Sequence, residues 1–184
     1  LRIEALRGKC LHYLGRVAEA ETVARANLQR TRQRLGANHA ESLFAQTYLV
    51  TTLTDNGKAA EAETLARDVL SGLTPLFGPA ATGTVNARSA LGAALIAQGK
   101  LREAEKILRE GVRIVETSGI DPRSGGPRLY GALGEALAKQ GKRTEAMQWL
   151  ERAAREGEKI LGADHLLTRR YRNELLALRP GSRT

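Results

Sequence analysis

The amino-acid sequence predicts an all-α protein, a solenoid of helix–turn–helix repeats, and three observations lead to that prediction. First, the motif Gly-Lys-Leu-Arg-Glu-Ala-Glu at 99–105 recurs in weaker form, with its glycine at Gly15, Gly57, Gly99 and Gly141, each 42 residues after the last. Second, apolar residues on both sides of each glycine recur at helical spacing. Third, only 4% of the residues are aromatic, and the apolar set is mostly Ala and Leu, which suits closely packed helices. A fixed period of this size is typical of repeat solenoids.

The period divides the chain into four repeats followed by one further helix. The predicted repeats cover about 1–38, 39–80, 81–122 and 123–164. A helix over 165–178 is expected to cap the last exposed core, because a terminal unit of an array needs one polar face. We expect residues 179–184 to be disordered, as chain ends often are.

The first repeat is predicted to hold a helix over 1–14 and a second over about 17–35. The apolar side of the first helix is expected to consist of Leu1, Ala5, Leu6, Leu11 and Leu14. Steps of three and four place one face of the second helix inward, namely Val17, Ala20, Ala24, Leu28, Thr31 and Leu35. Gly15 separates the two helices and tolerates the left-handed conformation that ends a helix. Cys10 has no evident base beside it, so we expect a small buried residue rather than a nucleophile.

The second and third repeats follow the same plan. Helices are predicted over 43–54 and from about 59, then over 85–97 and 101–117. Pro75 is expected to end or kink the second helix of its repeat, because proline cannot donate a hydrogen bond to the residue four back.

The fourth repeat is expected to begin late, near Pro127, after a closing loop that is rich in glycine and proline. Its helices are predicted to run to Lys139 and, after the turn at Gly141, to about Leu161. Loop sequences ending in His39 and His165 close the first and fourth repeats in the same way. Three repeats separate these histidines, so we expect them to cap or pack their loops rather than to act together on a metal or a proton.

The residues at equivalent positions of the repeats resemble the tetratricopeptide repeat. The small residue of the first helix is Gly8, Gly92 and Gly134, with Val50 as a departure, and the inward residue three further on is Leu11, Leu53, Leu95 and Leu137. The alanine of the second helix is Ala20, Ala62, Ala104 and Ala146. The standard repeat has about 34 residues; the longer unit, with its Leu-Gly-x-x-His loop, is similar to the kinesin-light-chain type.

The resemblance implies a right-handed superhelix that binds a protein or peptide in the groove lined by the first helix of each repeat. It implies no catalysis, and by analogy it suggests the interaction module of a larger signalling or regulatory protein. Armadillo and HEAT units have a similar period but would not be expected to carry this turn motif.

The groove should be lined by the first-helix positions that face away from the core. These are Arg2, Lys9, His12, Tyr13, Phe44, Thr47, Tyr48, Thr51, Asp55, Asn86, Ser89, Ala93, Ile96, Arg128, Glu135, Lys139, Arg170 and Asn173. The candidate contacts among them are Lys9, His12, Phe44, Tyr48, Thr51, Asn86, Arg128, Glu135, Arg170 and Asn173. Arginine suits a peptide carboxylate because its fork binds in bidentate fashion. Phe44 and Tyr48, one turn apart, are expected to form an apolar pocket; the asparagine ladder of peptide-binding repeats is mostly missing, with Asn173 as its clear match.

An alternative reading of the sequence is charge-driven binding of nucleic acid or an anionic surface. The chain carries a net charge of +9, and its ends are the basic parts, with +5 over 1–38 and +4 over 165–184. The second repeat, 39–80, is acidic at −3. A nucleic-acid binder more often shows a continuous basic stripe with interleaved aromatic residues, which is absent here. A third reading is self-association of the acidic repeat with a basic end, so we expect a monomer or a weak homodimer.

The sequence shows no feature of an enzyme, a metal protein or a membrane protein. There is no Ser/His/Asp set, no metal-ligand spacing and no phosphate-binding loop, so we expect no catalytic residue, no metal and no cofactor. No apolar run approaches the ~20 residues of a membrane-spanning helix. One cysteine rules out an internal disulfide, and we expect a cytoplasmic location.

Overall fold

Nine α-helices make up the described part of the chain, which is residues 2–119 and 125–179 of the computed structural model, and no strand occurs there. The helices are α1 (Arg2–Tyr13), α2 (Val17–Leu35), α3 (Ala40–Asp55), α4 (Ala59–Phe77), α5 (Thr82–Ala97), α6 (Leu101–Thr117), α7 (Gly126–Lys139), α8 (Arg143–Leu161) and α9 (Leu166–Ala177). Each helix packs on the next, and α3, α5, α7 and α9 also pack in series. This arrangement is the predicted solenoid of helix pairs.

Glycine residues form the tight turns within each helix pair because their backbone takes the left-handed region. Gly15, Gly57, Gly99 and Gly141 have φ between 75° and 79°, a region that side chains with a Cβ disfavour. The predicted turn positions are therefore correct at all four places.

Two of the loops between helix pairs end in a histidine that caps the next helix. The Nδ1 atom of His39 accepts the backbone N–H of Glu41 at 3.2 Å, and Nδ1 of His165 accepts that of Leu167 at 3.3 Å. Each histidine thus satisfies one of the unpaired donors at a helix start. The expected capping role of both histidines is confirmed.

The core consists of the leucine and alanine positions that repeat every 42 residues. Ala20, Ala62, Ala104 and Ala146 are all 0% exposed, and so are Leu53, Leu95 and Leu137. Small residues in the first helices let neighbouring leucines approach: a Cβ on Gly92 would lie 2.5 Å from Cδ2 of Leu108.

A ladder of ion pairs joins neighbouring repeats at the turns between paired helices. Its acids, at the same position of three repeats, are Glu21, Glu63 and Glu105. Glu63, for example, accepts from Arg67 of its own helix at 2.7 Å and from Lys100 and Gln98 of the next repeat at 2.6 and 2.7 Å. In a second kind of contact, an arginine of one repeat pairs with a glutamate of the next, as Arg25 does with Glu61 at 2.7 Å. We call these contacts the junction ladder.

Several sequence-based predictions about single elements are wrong. Of the two effects expected of Pro75, an end or a kink, the end is wrong, because α4 continues to Phe77. Only the final turn follows the proline, and the carbonyl that loses its donor belongs to exposed Ser71. Helices α3 and α5 each begin three residues earlier than predicted.

The expected buried side of α1 is also only partly correct. Leu11 is buried, but Leu6 and Leu14 are 65% and 71% exposed and Cys10 is exposed as well. Leu35, expected inward, is exposed at the end of α2. Among the described helices, α2 is the one that packs along α1, so the other sides of α1 stay exposed there. Residues 180–184 of the predicted disordered tail, and residues 120–124 of the third closing loop, lie outside the described residues.

Candidate partner-binding groove

The odd-numbered helices α1, α3, α5, α7 and α9 carry the predicted groove residues. Each of the first four is backed by its even-numbered partner, and α3, α5, α7 and α9 pack side by side. The side turned away from the partner helices is the first-helix face. Its side chains come from every repeat, so a long ligand can contact several repeats at once.

At the N-terminal end, one polar contact bridges two repeats across the face. Nε2 of His12 lies 2.6 Å from Oδ2 of Asp55. The ring of Tyr48 lies 6.3 Å from that of His12 and packs against Gly8. Burial, followed by the charge of Asp55, raises the pKa of Tyr48 to about 12. Lys9 is exposed beside this cluster.

Phe44 lies in a different setting from Tyr48. Its ring stacks on Phe77 at 5.9 Å between centroids, close to the backbone of Gly83, and the residue is 45% exposed. Since Tyr48 instead faces α1, the two aromatic residues do not form one pocket. Phe44 and Phe77, the two phenylalanines of the chain, form an exposed pair at the edge of the second repeat.

Several residues in the middle of the face are already engaged within the protein. The hydroxyls of Thr51 and Ser89 donate to backbone carbonyls one turn back, at 3.4 and 3.0 Å. Ser89 is buried and Ile96 is only 4% exposed, so both lie in the core rather than in the groove. Asn86 is half-buried, and its Oδ1 atom has no partner among the residues that the structure describes.

The C-terminal end of the face carries a chain of ion pairs. Glu135 accepts from Arg170 at 2.7 Å and lies 3.7 Å from Nζ of Lys139. Arg170 also donates to Glu174 at 2.7 Å, and burial raises the pKa of Glu174. Arg128 and Asn173 are exposed.

The first and last repeats approach each other across the face. The ring of Tyr13, at the end of α1, meets that of His165, at the start of α9, edge-on with 6.4 Å between centroids. Residues so far apart in sequence meet only if the solenoid curves toward its first-helix face. That face is therefore concave, and the space above it is narrow at this point.

The sequence did not identify the junction ladder, although its signal was present. The motif contains two glutamates, two residues apart, which point in different directions on a helix. In the third repeat Glu103 pairs with Arg67 of the preceding repeat, and Glu105 accepts a hydrogen bond from Gln140 of the following repeat. A search for opposite charges at matching positions of consecutive repeats would have found both partners.

Two findings concern other kinds of site. Among the described residues, no cluster of three or more His, Cys, Asp or Glu side chains has the arrangement of a metal site. Within 2–119 and 125–179, no helix has the length and apolar character needed to cross a lipid bilayer.

Comparison with known proteins gives matches to one repeat family. Two family models described as tetratricopeptide repeat match residues 43–117 and 128–167, together more than half of the chain. Among the curated proteins, no sequence matches this chain.

Solved structures with the same fold include a putative kinesin light chain from Podosopora anserina with nearly identical TPR-like repeats. It is 22% identical, with a TM-score of 0.71, over 97% of this chain and 84% of that one; a single-residue variant of the same protein gives a TM-score of 0.70. BtubC (BKLC) from P. vanneervenii is 16% identical, with a TM-score of 0.66, over 99% of this chain and 66% of that one. At these identities the likeness shows the fold alone.

Proposed function

The chain belongs to the tetratricopeptide repeat family, whose repeats form protein-interaction scaffolds, and from that premise we propose that its concave first-helix face holds an extended segment of a partner protein. Binding, not catalysis, is the function that this face supports. The residues proposed to contact the partner are Lys9, His12, Phe44, Tyr48, Thr51, Asn86, Arg128, Glu135, Arg170 and Asn173.

The observation that carries the proposal is a set of exposed side chains on a surface where other side chains are already bonded within the chain. Phe44 offers an apolar contact, and Asn173 offers an amide that can bind a peptide backbone. Lys9 and Arg128 are exposed, and neither forms an ion pair with another described residue. Such unpaired cations on a concave face suit the carboxylates of a partner segment.

The curvature supports a slim occupant. Because Tyr13 and His165 meet across the face, a folded domain would have to separate them. An extended segment or a single helix can lie along the face without doing so.

We further propose that the chain is the interaction module of a larger signalling or regulatory protein in the cytoplasm. Its one cysteine is exposed and forms no disulfide, which suits a reducing compartment.

The competing reading, charge-driven binding through the basic ends, has fewer unpaired arginines on α9 than the sequence suggested. Arg170 and Arg172 of α9 are paired with Glu135 and Glu158 at 2.7 Å. Arg169 of α9 is exposed. Binding through phosphate contacts would weaken steeply with salt.

Affinity capture from native cell extract at low and high salt tests the proposal. The groove variant is Lys9→Glu/Arg128→Glu. The matched control is Arg102→Glu/Lys106→Glu, which makes the same charge change at exposed positions of α6. We expect a protein that the native chain and the control retain at high salt and that the groove variant loses.

Two results would contradict the proposal. One is equal loss of the protein by both variants. The other is retention of nucleic acid alone, only at low salt, which would favour the charge-driven reading.

A further inference from the structure

The longest stretch of the chain without a charged residue lies between Asp68 and Arg88. Since 27% of all residues are charged, the 19 residues of this stretch would be expected to include about five charges. The stretch forms the end of α4, the loop to α5 and the first turns of α5. Charged residues are depleted where a surface is buried against a partner, so the exposed part of this stretch is a candidate contact surface.

The exposed part of the stretch is an apolar patch. Leu76 and Phe77, at the end of α4, are 54% and 48% exposed, and Phe44 of α3, which stacks on Phe77, is 45% exposed. Pro75 and Pro79 are exposed on the same part of the chain. We call these five residues the repeat-2 patch. Other repeats flank it on both sides, and no described helix covers it.

The patch offers few groups for hydrogen bonds. The hydroxyls of Ser71 and Thr74 donate to carbonyls of their own helix, at 2.8 and 2.6 Å. The backbone N–H of Gly78 donates to the carbonyl of Thr74 at 2.9 Å, and the two prolines have no N–H. A peptide backbone laid over this surface would lose its hydrogen bonds to water without replacement, whereas hydrocarbon needs no such bonds.

Unpaired arginines stand on both sides of the repeat-2 patch. Arg34 of α2 holds the position that Leu76 holds in the next repeat, and Arg113 of α6 holds the position that Ser71 holds in the repeat before it. Matching positions of consecutive repeats lie side by side in a solenoid. Both arginines are exposed, and within 2–119 and 125–179 neither forms an ion pair. The surface therefore has an apolar centre between two cations.

The arginines make a second copy of the chain a poor occupant of this patch. Two patches face to face would bring the arginines of both copies together, and like charges disfavour such a contact. Two exposed acids, Glu41 and Asp68, lie one turn before Phe44 and two turns before Leu76, so they border the patch rather than enter it. An occupant with negative charge over an apolar layer suits the patch better.

From these features we propose that the repeat-2 patch is a docking surface for an anionic lipid bilayer. Leu76 and Phe77 enter the boundary between headgroups and acyl chains, while Arg34 and Arg113 bind the anionic headgroups on either side. A bilayer combines the negative surface that the arginines require with an apolar layer that forms no hydrogen bonds. Two inserted side chains hold weakly, so the binding is reversible and needs both the apolar and the charged contacts.

Docking through this patch leaves most of the groove free. Leu76 and Phe77 belong to α4, and the two arginines belong to α2 and α6, all of them second helices of their repeats. Phe44 alone is shared with the proposed groove contacts. The chain can therefore hold a partner protein and a membrane surface at the same time.

Vesicle flotation tests the apolar contact, with vesicles of phosphatidylcholine alone and of phosphatidylcholine and phosphatidylserine in equal parts. We expect the native chain to float with the anionic vesicles only, and the bound fraction of Leu76→Ser/Phe77→Ser to fall at least about fivefold. The control is Leu161→Ser/Leu166→Ser, at leucines 41% and 56% exposed near the loop between α8 and α9, which should bind like the native chain. Circular dichroism checks that each variant is folded.

The same assay tests the charged contact. The bound fraction of Arg34→Gln/Arg113→Gln should also fall at least about fivefold, whereas that of Arg102→Gln/Lys106→Gln, which removes the same charge from exposed positions of α6, should fall less than about twofold. Equal losses in these two variants would show binding by net charge alone and overturn the proposal. A native chain that does not float with the anionic vesicles would also overturn it.

A fluorescent label tests insertion. Cys10→Ser/Leu76→Cys carries a single thiol in the patch, and Cys10→Ser/Arg102→Cys carries one on α6. With anionic vesicles whose acyl chains are brominated, we expect quenching of the label at position 76 and none at position 102. Equal quenching, or no quenching at position 76, would overturn the proposal. A dimer seen by light scattering without lipid, and lost in Leu76→Ser/Phe77→Ser, would overturn it in favour of a second copy.

Discussion

Glu21, Glu63 and Glu105 show how one residue position holds neighbouring repeats together. Each accepts hydrogen bonds from an arginine of its own helix and from an amide and a lysine of the next repeat. The carboxylates are largely buried while the lysines are about half-exposed. A buried acceptor with several charged donors stabilises more than an exposed ion pair does.

Replacing Glu63 tests that contribution directly. Glu63→Gln keeps the size of the side chain but removes the charge that Arg67 and Lys100 approach. We expect the free energy of unfolding to fall by about 1–2 kcal/mol, measured by urea denaturation. Asp68→Asn, an exposed acid on the same helix, should change it by less than about 0.5 kcal/mol; equal effects would show that the ladder adds no stability.

The same acids predict how stability depends on pH. In Glu63, hydrogen bonds from Lys100, Arg67 and Gln98 lower the pKa from 4.5 to about 2. In Glu21 and Glu105, burial raises the pKa, but the hydrogen bonds outweigh it and the value also falls to about 2. A pKa below its unfolded value means stability that is present above pH 4.5 and is lost as the pH falls toward 2.

We therefore expect the urea concentration at the unfolding midpoint to decrease as the pH is lowered from about 5 to about 3. The triple variant Glu21→Gln/Glu63→Gln/Glu105→Gln should start from a lower midpoint and show a shallower fall over the same range. An unchanged slope in the triple variant would assign the acid sensitivity to other groups.

At the scale of the helix, the sequence predicted most of the structure because the pattern repeats. The bounds of α2 and α6 are as predicted, and α3 and α5 differ by a few residues at their starts. The prediction was wrong at Leu6, Leu14 and Cys10 for a physical reason. A repeat has one apolar side facing its partner helix and another facing the preceding repeat, and the spacing of apolar residues does not tell which side has a neighbour.

Glycine at the contacts between helices sets how closely they pack, and Gly131 in α7 is the sharpest case. A methyl group there would overlap the ring of Tyr171 in α9, with Cζ only 2.5 Å away. Tyr171 is itself buried, so the ring has little room to move. Helix α9 packs on α8 and, through this contact, also on α7.

Gly131→Ala is therefore expected to lower the free energy of unfolding by about 1–3 kcal/mol and to reduce hydrogen-exchange protection in α9 more than in α5. Gly157→Ala is the control at the other contact with α9, where the nearest atom, Oγ1 of Thr168, would be 3.1 Å away. There the smaller overlap is offset by the better helix propensity of alanine. An equal loss of hydrogen-exchange protection in α9 in both variants would contradict this account.

At the scale of the whole molecule, sequence register did not tell which of the predicted groove residues are available to a partner. Lys9, Arg128 and Asn173, predicted as groove residues, are exposed, whereas Phe44 stacks on Phe77 of α4. It could not show that Ser89 bonds to its own helix, nor that Arg170 is held by two acids. These contacts depend on distances between helices, which a period does not contain.

The curvature of the array likewise emerged only in three dimensions. The approach of Tyr13 to His165 results from small rotations added over four repeats. This curvature makes the row of first helices a narrow concave surface, and the proposed function rests on that shape.

The most direct test of groove binding is photo-cross-linking in the native cell. Benzoylphenylalanine replaces Phe44 or Asn173 on the concave face and, in matched controls, Arg102 or Lys106 on α6. The account predicts a protein cross-linked to the concave positions and absent from the α6 positions. Cross-linking of the same protein with equal yield from α6, or from α6 alone, would contradict it.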